Sequence, residues 1–188
     1  MALPFAVLIM CSLPIFLTAN NASQILLYTL LPVYMIHQYE EHAHGSFVEF
    51  FNSTIGKGQA VLTRVSAFWL DFLEVWLLFL VSFYLAKYVA VGFAFVPIYT
   101  VLVNGLTHVI ASLALRRYNP GLYTSLLLFF PWGIYLLVYF NAATGPSLVF
   151  NVIGLLVGIV GHAIIVVYAL RRRSRLESGS RRGAAASL

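Results

Sequence analysis

Long apolar runs, each broken by a short polar or Gly/Pro segment, fill most of this chain. Split at those breaks, the pattern predicts six helices near 2–19, 24–44, 60–86, 90–116, 120–140 and 147–170. Each is about as long as a bilayer crossing requires at roughly 1.5 Å of rise per residue. The expected fold is all-α: a polytopic membrane helix bundle of about six transmembrane helices. Residues 1–170 are expected to form one domain and residues 171–188 a basic, disordered cytoplasmic tail. The first run could instead be a cleaved signal sequence, although it lacks a basic leading region. No internal repeat is found, so an inverted-repeat transporter is not suggested.

Composition agrees with this class. The 188 residues are 61% hydrophobic, 15% aromatic and only 9% charged, and a soluble domain of that size could not cover its surface with so few polar groups. The net charge of +5 does not point to nucleic acid, because it comes from the arginines after Leu170; elsewhere the charges balance. With that arginine tail taken as cytoplasmic, alternation through six spans places Arg116, Arg117, Lys57 and Arg64 inside and only Lys87 outside. Both termini are then expected in the cytoplasm. The lone Cys11 excludes an internal disulfide. Asn119-Pro120-Gly121 reads as an Asn cap followed by a proline at the first position of the fifth helix. Gly154, Gly158 and Gly161 form a small-residue stripe in the sixth, read first as a packing feature.

Against this apolar background the segment HQYEEHAHGSF stands apart. At about 100° per residue His37, Glu40, Glu41 and His44 share one arc of a helix, while His42 points away from it. Glu41 and His44 also have the i, i+3 spacing by which helix bundles hold metals. The bland alternative is a polar helix end in water or headgroups. Other spans argue against that alternative, since Asp71, Glu74, His108 and His162 lie well inside theirs. Ionisable groups at that depth cost on the order of 3 kcal/mol each and normally face the bundle interior. Counted from the basic ends of their spans, His37, Asp71, His108 and His162 sit roughly 10 to 14 Å deep, in one layer. Asn104, one turn from His108, adds an amide on the same face.

Neutral imidazole with carboxylate suits zinc or iron, with His37, Glu41, His44, His108 and His162 as candidate ligands. A divalent metal would also relieve repulsion between Glu40 and Glu41. Without metal, the same carboxylates could share a proton and act with His37 or His108 as acid and base.

These residues resemble a named family of small integral membrane proteins, the HXXEE family, whose His-x-x-Glu-Glu motif is matched by His37, Glu40 and Glu41. NGLTHVIASLALRRYNPGLYTSLLLFFP resembles a second family block, with Asn104, His108 and the Tyr118-Asn119-Pro120-Gly121 turn in matching places. The resemblance covers about residues 28–140 and implies a site without specifying its reaction. The chain lacks the multiple histidine boxes of membrane desaturases, the paired Glu-x-x-His of di-iron bundles and the Gly-x-Gly-Asp of intramembrane aspartyl proteases.

The expected function is a metal-dependent membrane enzyme, hydrolase or oxidoreductase, acting on a lipophilic small molecule near the cytoplasmic face. His37, Glu40, Glu41 and His108 are the expected catalytic or ligand residues. Asn104, Asp71 and Glu74 are the expected substrate-side or supporting ones. A proton-coupled transporter or channel using the same Glu/His relay is the alternative. The lipid bilayer is the expected partner, nucleic acid is not, and oligomeric state is not legible.

Overall fold

The computed structural model describes residues 11–19, 21–43, 46–145 and 147–186, with the side chains of Thr144 and residues 181–186 left aside. Among the described residues there is no strand. After a helical stretch at 11–17 come α1 (Ala22–Tyr28), α2 (Leu30–His42) and α3 (Ser46–Thr54). Three long rods follow, α4 (Arg64–Tyr88), α5 (Val91–Leu115) and α6 (Leu122–Ala143), and then α7 (Leu148–Ala186).

Four of these, α4, α5, α6 and the Leu148–Ser180 part of α7, are long and apolar enough to cross a membrane. The expected run 2–19 begins in residues 1–10, which lie outside the described set. The expected run 24–44 is divided at Thr29 into α1 and α2, neither of which alone reaches spanning length. Thr29 turns its hydroxyl back onto Leu26 O at 2.5 Å and receives the Trp132 indole N–H at 2.8 Å, so the break is pinned to α6.

Arg117 and Arg173 meet at one end of the bundle. There Arg117 donates to Ser53 and Arg173 donates to the carbonyl of Ile55, so α5 and α7 both reach α3 and the loop behind it. Asn52 closes that loop by pairing with both backbone groups of Leu62 at 2.8 Å. At the opposite end Lys87 reaches Thr18, and Asn141, Asn151 and Tyr99 form a hydrogen-bonded cluster between α5, α6 and α7. Such interhelical bonds contribute about 0.6 kcal/mol each in a bilayer and mainly fix register. Between the two ends the core is aromatic, with Tyr34, Phe79, Phe83, Phe95, Phe129 and Phe140 all buried.

Three sequence expectations change here. The tail expected to be disordered is helical, α7 running unbroken to Ala186; it is rich in good helix formers, and Arg173 pairs with Glu177 one turn on at 3.4 Å. Asn119 does not cap the next helix. That helix begins at Leu122 with Gly121 at the cap position, while Asn119 is buried and donates to the carbonyl of His108 at 3.5 Å. The glycine stripe divides its work. A side chain at Gly154 would strike the Phe95 carbonyl of α5 and one at Gly158 would crowd the Tyr99 carbonyl, whereas one at Gly161 would strike the Glu74 carboxylate of α4.

Candidate metal centre

The i, i+4 spacing of His37 and Glu41 puts both on the inner face of α2. His108 comes from α5, where Thr100, Asn104 and His108 recur at helical spacing on a buried face. His37 is fully buried, and Glu41 and His108 are at most 5% exposed. Glu41 Oε1 lies 3.1 Å from His108 Nε2, and Glu41 Oε2 lies 3.5 Å from His37 Nε2. One donor atom from each of the three falls within 4.8 Å of the others, a spacing that could hold a metal ion.

Glu40, one residue earlier, is rotated about 100° away and does not face this group. It reaches the start of α6 instead. Its carboxylate accepts from the Tyr118 hydroxyl at 2.7 Å, the Tyr123 amide at 3.1 Å, the Thr124 amide at 2.7 Å and the Thr124 hydroxyl at 2.5 Å. Tyr123 and Thr124 are the second and third residues of α6, whose cap position is a glycine with no side chain to offer. Glu40 therefore supplies from α2 the carboxylate cap that α6 lacks, with favourable alignment to the helix dipole. Burial, and next the Glu40 carboxylate it donates to, push the Tyr118 phenol well up.

The same contacts set the tautomer of His37. The Thr124 hydroxyl gives its single proton to Glu40, so at 2.7 Å it accepts from His37 Nδ1–H. In the neutral ring, the form that can ligate a metal, that leaves Nε2 as the lone-pair nitrogen, facing Glu41 across 3.5 Å. A carboxylate oxygen and an imidazole lone pair repel at that separation unless something positive stands near them. Metal-bound histidines usually have the other ring N–H held by a carboxylate or equivalent acceptor, and Glu40 acting through Thr124 is such a partner. Thr124→Val is accordingly expected to weaken metal binding about 10- to 100-fold while the chain stays folded. Metal titration of the purified variant checks this, and an unchanged affinity would remove Thr124 and Glu40 from the centre.

Gly121 completes the enclosure. Its φ of +96° suits glycine, and a Cβ there would sit 2.7 Å from His108 Cε1 and 2.8 Å from His37 Cε1. The two imidazoles lie 4.9 Å apart edge to face, and Phe129 lies against His37 at 4.1 Å. Both π-helical turns among the described residues flank the centre: Phe72–Leu77 carries Glu74, and Ser125–Phe129 follows Thr124 directly. Such turns recur at functional sites because the widened backbone redirects side chains.

The other candidates fall into separate pairs. His42, expected to point away from the ionisable face, meets Asp71 Oδ2 at 2.8 Å. His162 faces Glu74 Oε1 at 3.2 Å rather than the His37–Glu41–His108 group. His44 lies outside the described residues. Asn104 donates to the Tyr34 hydroxyl at 2.9 Å, leaving its buried Oδ1 without a hydrogen-bond partner, as is His108 Nδ1. A cavity of about 310 Å³ brings these groups together: Glu41, Asp71, Glu74, Asn104, His108 and His162 all line it. Most of the rest of its wall is apolar, with Phe47, Phe50 and Phe51 of α3 among it, and Tyr34, Thr107 and Asn119 add polar groups. Helix α3 fell in an expected loop; its Phe47 and Phe51, one turn apart, were the available sign of an apolar face.

The model of a family described as proteins of unknown function with an HXXEE motif matches residues 28–136, more than half of the chain. The chain belongs to the HXXEE family. No curated protein and no solved structure gives a match. The matched region runs from α1 into α6 and so contains every residue of the HXXEE centre described above, while α7 with His162 lies beyond it. In this chain each letter of the HXXEE motif has its own contact: His37 and Glu41 face His108, and Glu40 ties α2 to α6.

Proposed function

We propose that this HXXEE protein is a metal-dependent integral membrane enzyme acting on a lipophilic small molecule. The observation that carries the reading is the three-donor group of His37, Glu41 and His108, two of whose members, Glu41 and His108, line a largely apolar cavity. Two imidazoles and one carboxylate are the donor set of catalytic zinc sites with an open position and of non-haem iron sites, so zinc or iron is the proposed ion. Bound there, such an ion would supply a Lewis acid and an activated oxygen species for hydrolysis or oxidation. His37 is oriented by Thr124 and Glu40, so Glu40 is assigned a positioning role. Glu41, with one oxygen toward each histidine, is both ligand and candidate base. Asn104, Asp71 and Glu74 form the substrate side of the cavity, with His162, whose Nδ1 is bonded to the Gly158 carbonyl, standing beside Glu74.

The cavity volume lies at the lower end of the range for small-molecule sites, roughly 300 to 1,000 Å³. Its largely apolar lining suits a substrate dissolved in the membrane. The proposed topology has six spans in one domain over residues 1–170, with both termini cytoplasmic and the site toward the arginine-rich end.

Metal analysis of detergent-purified protein tests the centre. Wild type is expected to carry close to one zinc or iron per chain, and His108→Ala to fall to background. Equal trace metal in both proteins would sink the proposal.

A further inference from the structure

A second, more open groove lies between α4 and α7, formed by residues such as Leu73, Leu78, Leu156 and Val160, with a volume of about 510 Å³. It shares Leu70, Glu74 and Ile165 with the wall of the metal-centre cavity, so the two spaces adjoin. Leu73, Val160 and Ile164 along the groove are each more than half exposed within spanning segments, where the surrounding medium is acyl chain rather than water. At the shared wall stands the Glu74–His162 pair. Gly161 keeps α7 close enough that any side chain there would collide with the carboxylate. Two buried acceptors here have no hydrogen-bond partner: Glu74 Oε1 at the shared wall and, inside the cavity beside His108, Asn104 Oδ1 in a residue 8% exposed.

We infer that the substrate is a single-chain lipid whose head carries one hydrogen-bond donor, reaching the centre sideways from the bilayer between α4 and α7. Its tail lies along the Leu70–Ile165 groove and its head, a hydroxyl or an amide N–H, donates to Asn104 Oδ1 beside His108. This rests on the enzyme reading above and deepens it by naming the substrate class and the path. An apolar tail matches the groove. A donor head matches an otherwise orphaned buried acceptor, which costs about 1–3 kcal/mol if left unsatisfied. A two-chain lipid would need two apolar channels, whereas the wall shared at Leu70, Glu74 and Ile165 opens onto a single groove.

The test uses the full chain in lipid nanodiscs with hexadecanol bearing a mid-chain diazirine. Photolabelling is expected on the groove, at Leu73, Ile164 and Ile165, and excess hexadecanol is expected to compete it away. Val160→Trp, a change at a lipid-facing position, is expected to cut labelling about tenfold, roughly the loss of one well-packed contact set, and to leave metal content unchanged. Hexadecyl methyl ether, which has no donor, is expected to compete about tenfold less well than hexadecanol against wild type and equally well against Asn104→Ala. Labelling spread equally over the exposed faces of α5 and α6, at Leu106 and Leu127, or insensitive to competition, would overturn the path. Equal competition by alcohol and ether in wild type would overturn the donor head. Metal measured on the same wild-type sample reports separately on the enzyme reading, so either can fail without masking the other.

Discussion

Glu41→Gln is expected to empty the centre of metal while keeping the bundle folded. Glutamine has nearly the shape of glutamate, so the space between His37 and His108 stays filled. What is lost is the charge. In the native chain Glu41 presents one oxygen to each histidine, at 3.1 and 3.5 Å, in a site only 5% exposed. Two neutral imidazoles and an amide make a much weaker site for a divalent cation than two imidazoles and a carboxylate. Loss of that charge-assisted ligand is expected to lower affinity at least about 100-fold, a change of roughly 3 kcal/mol. Metal per chain, measured after purification without added metal, should fall to background, and catalytic activity should go with it. Glu40→Gln is the informative contrast. It keeps the ligands but weakens the cap on α6 and the hold on Thr124, so it should lower affinity by less and also lower thermal stability. Were Glu41→Gln to retain full metal while Glu40→Gln lost it, the roles assigned to the two glutamates would have to be exchanged.

Gly121→Ala is expected to destabilise the bundle and to empty the centre at once. Two costs combine. A φ of +96° is unfavourable for a residue with a Cβ, by about 1–2 kcal/mol. The added methyl would also sit 2.7 and 2.8 Å from the two imidazoles, neither of which can retreat, since Phe129 lies against one and Glu41 holds the other. Overpacking of that kind costs about 1–3 kcal/mol, so a total near 3 kcal/mol is expected, with metal lost as the rings are displaced. Gly58→Ala separates the two costs. Gly58 has a similar φ of +86° but nothing within 4 Å of the added carbon, so it should carry the backbone cost alone and keep its metal. Thermal inactivation midpoints and metal content of the two variants, compared side by side, check this. Equal losses in both would mean that the histidine rings do not constrain Gly121.

The glutamate pair shows where reading the sequence stopped. Adjacent carboxylates on a helix must point about 100° apart, so at most one can face a centre shared with His37. In the sequence both glutamates fall on the arc of His37, and only the i, i+3 spacing to His44 singled out Glu41 as a ligand. Nothing in the sequence indicated that Glu40 would cap a helix more than eighty residues away, because the vacancy it fills is created by Gly121 and known only from the turn that Gly121 makes. Thr124, which transmits that contact to His37, carried no local signal: a threonine three residues after Gly121 is ordinary in composition and spacing. His42 was set aside by the same angular reasoning that grouped its neighbours, and correctly so with respect to His37. Its partner, Asp71, lies on α4, on the side to which the excluded face turns.

Membrane class and the approximate positions of the long helices follow from the sequence alone. They depend on properties additive along the chain: apolar length, charge placement and rise per residue. His37, Glu41 and His108 stood among the candidates for the same reason, alongside Glu40, His44 and His162, since the cost of burying each in hydrocarbon is a local quantity. The division of that layer into one three-donor centre and two carboxylate–histidine pairs required the packed bundle. So did Gly121 beneath the rings, the capping contact of Glu40 and the opening between α4 and α7. These depend on rotation of each helix about its axis, and that rotation is set by close contacts between residues distant in sequence, where a single methyl group or one π-helical turn redirects a side chain from one neighbour to another.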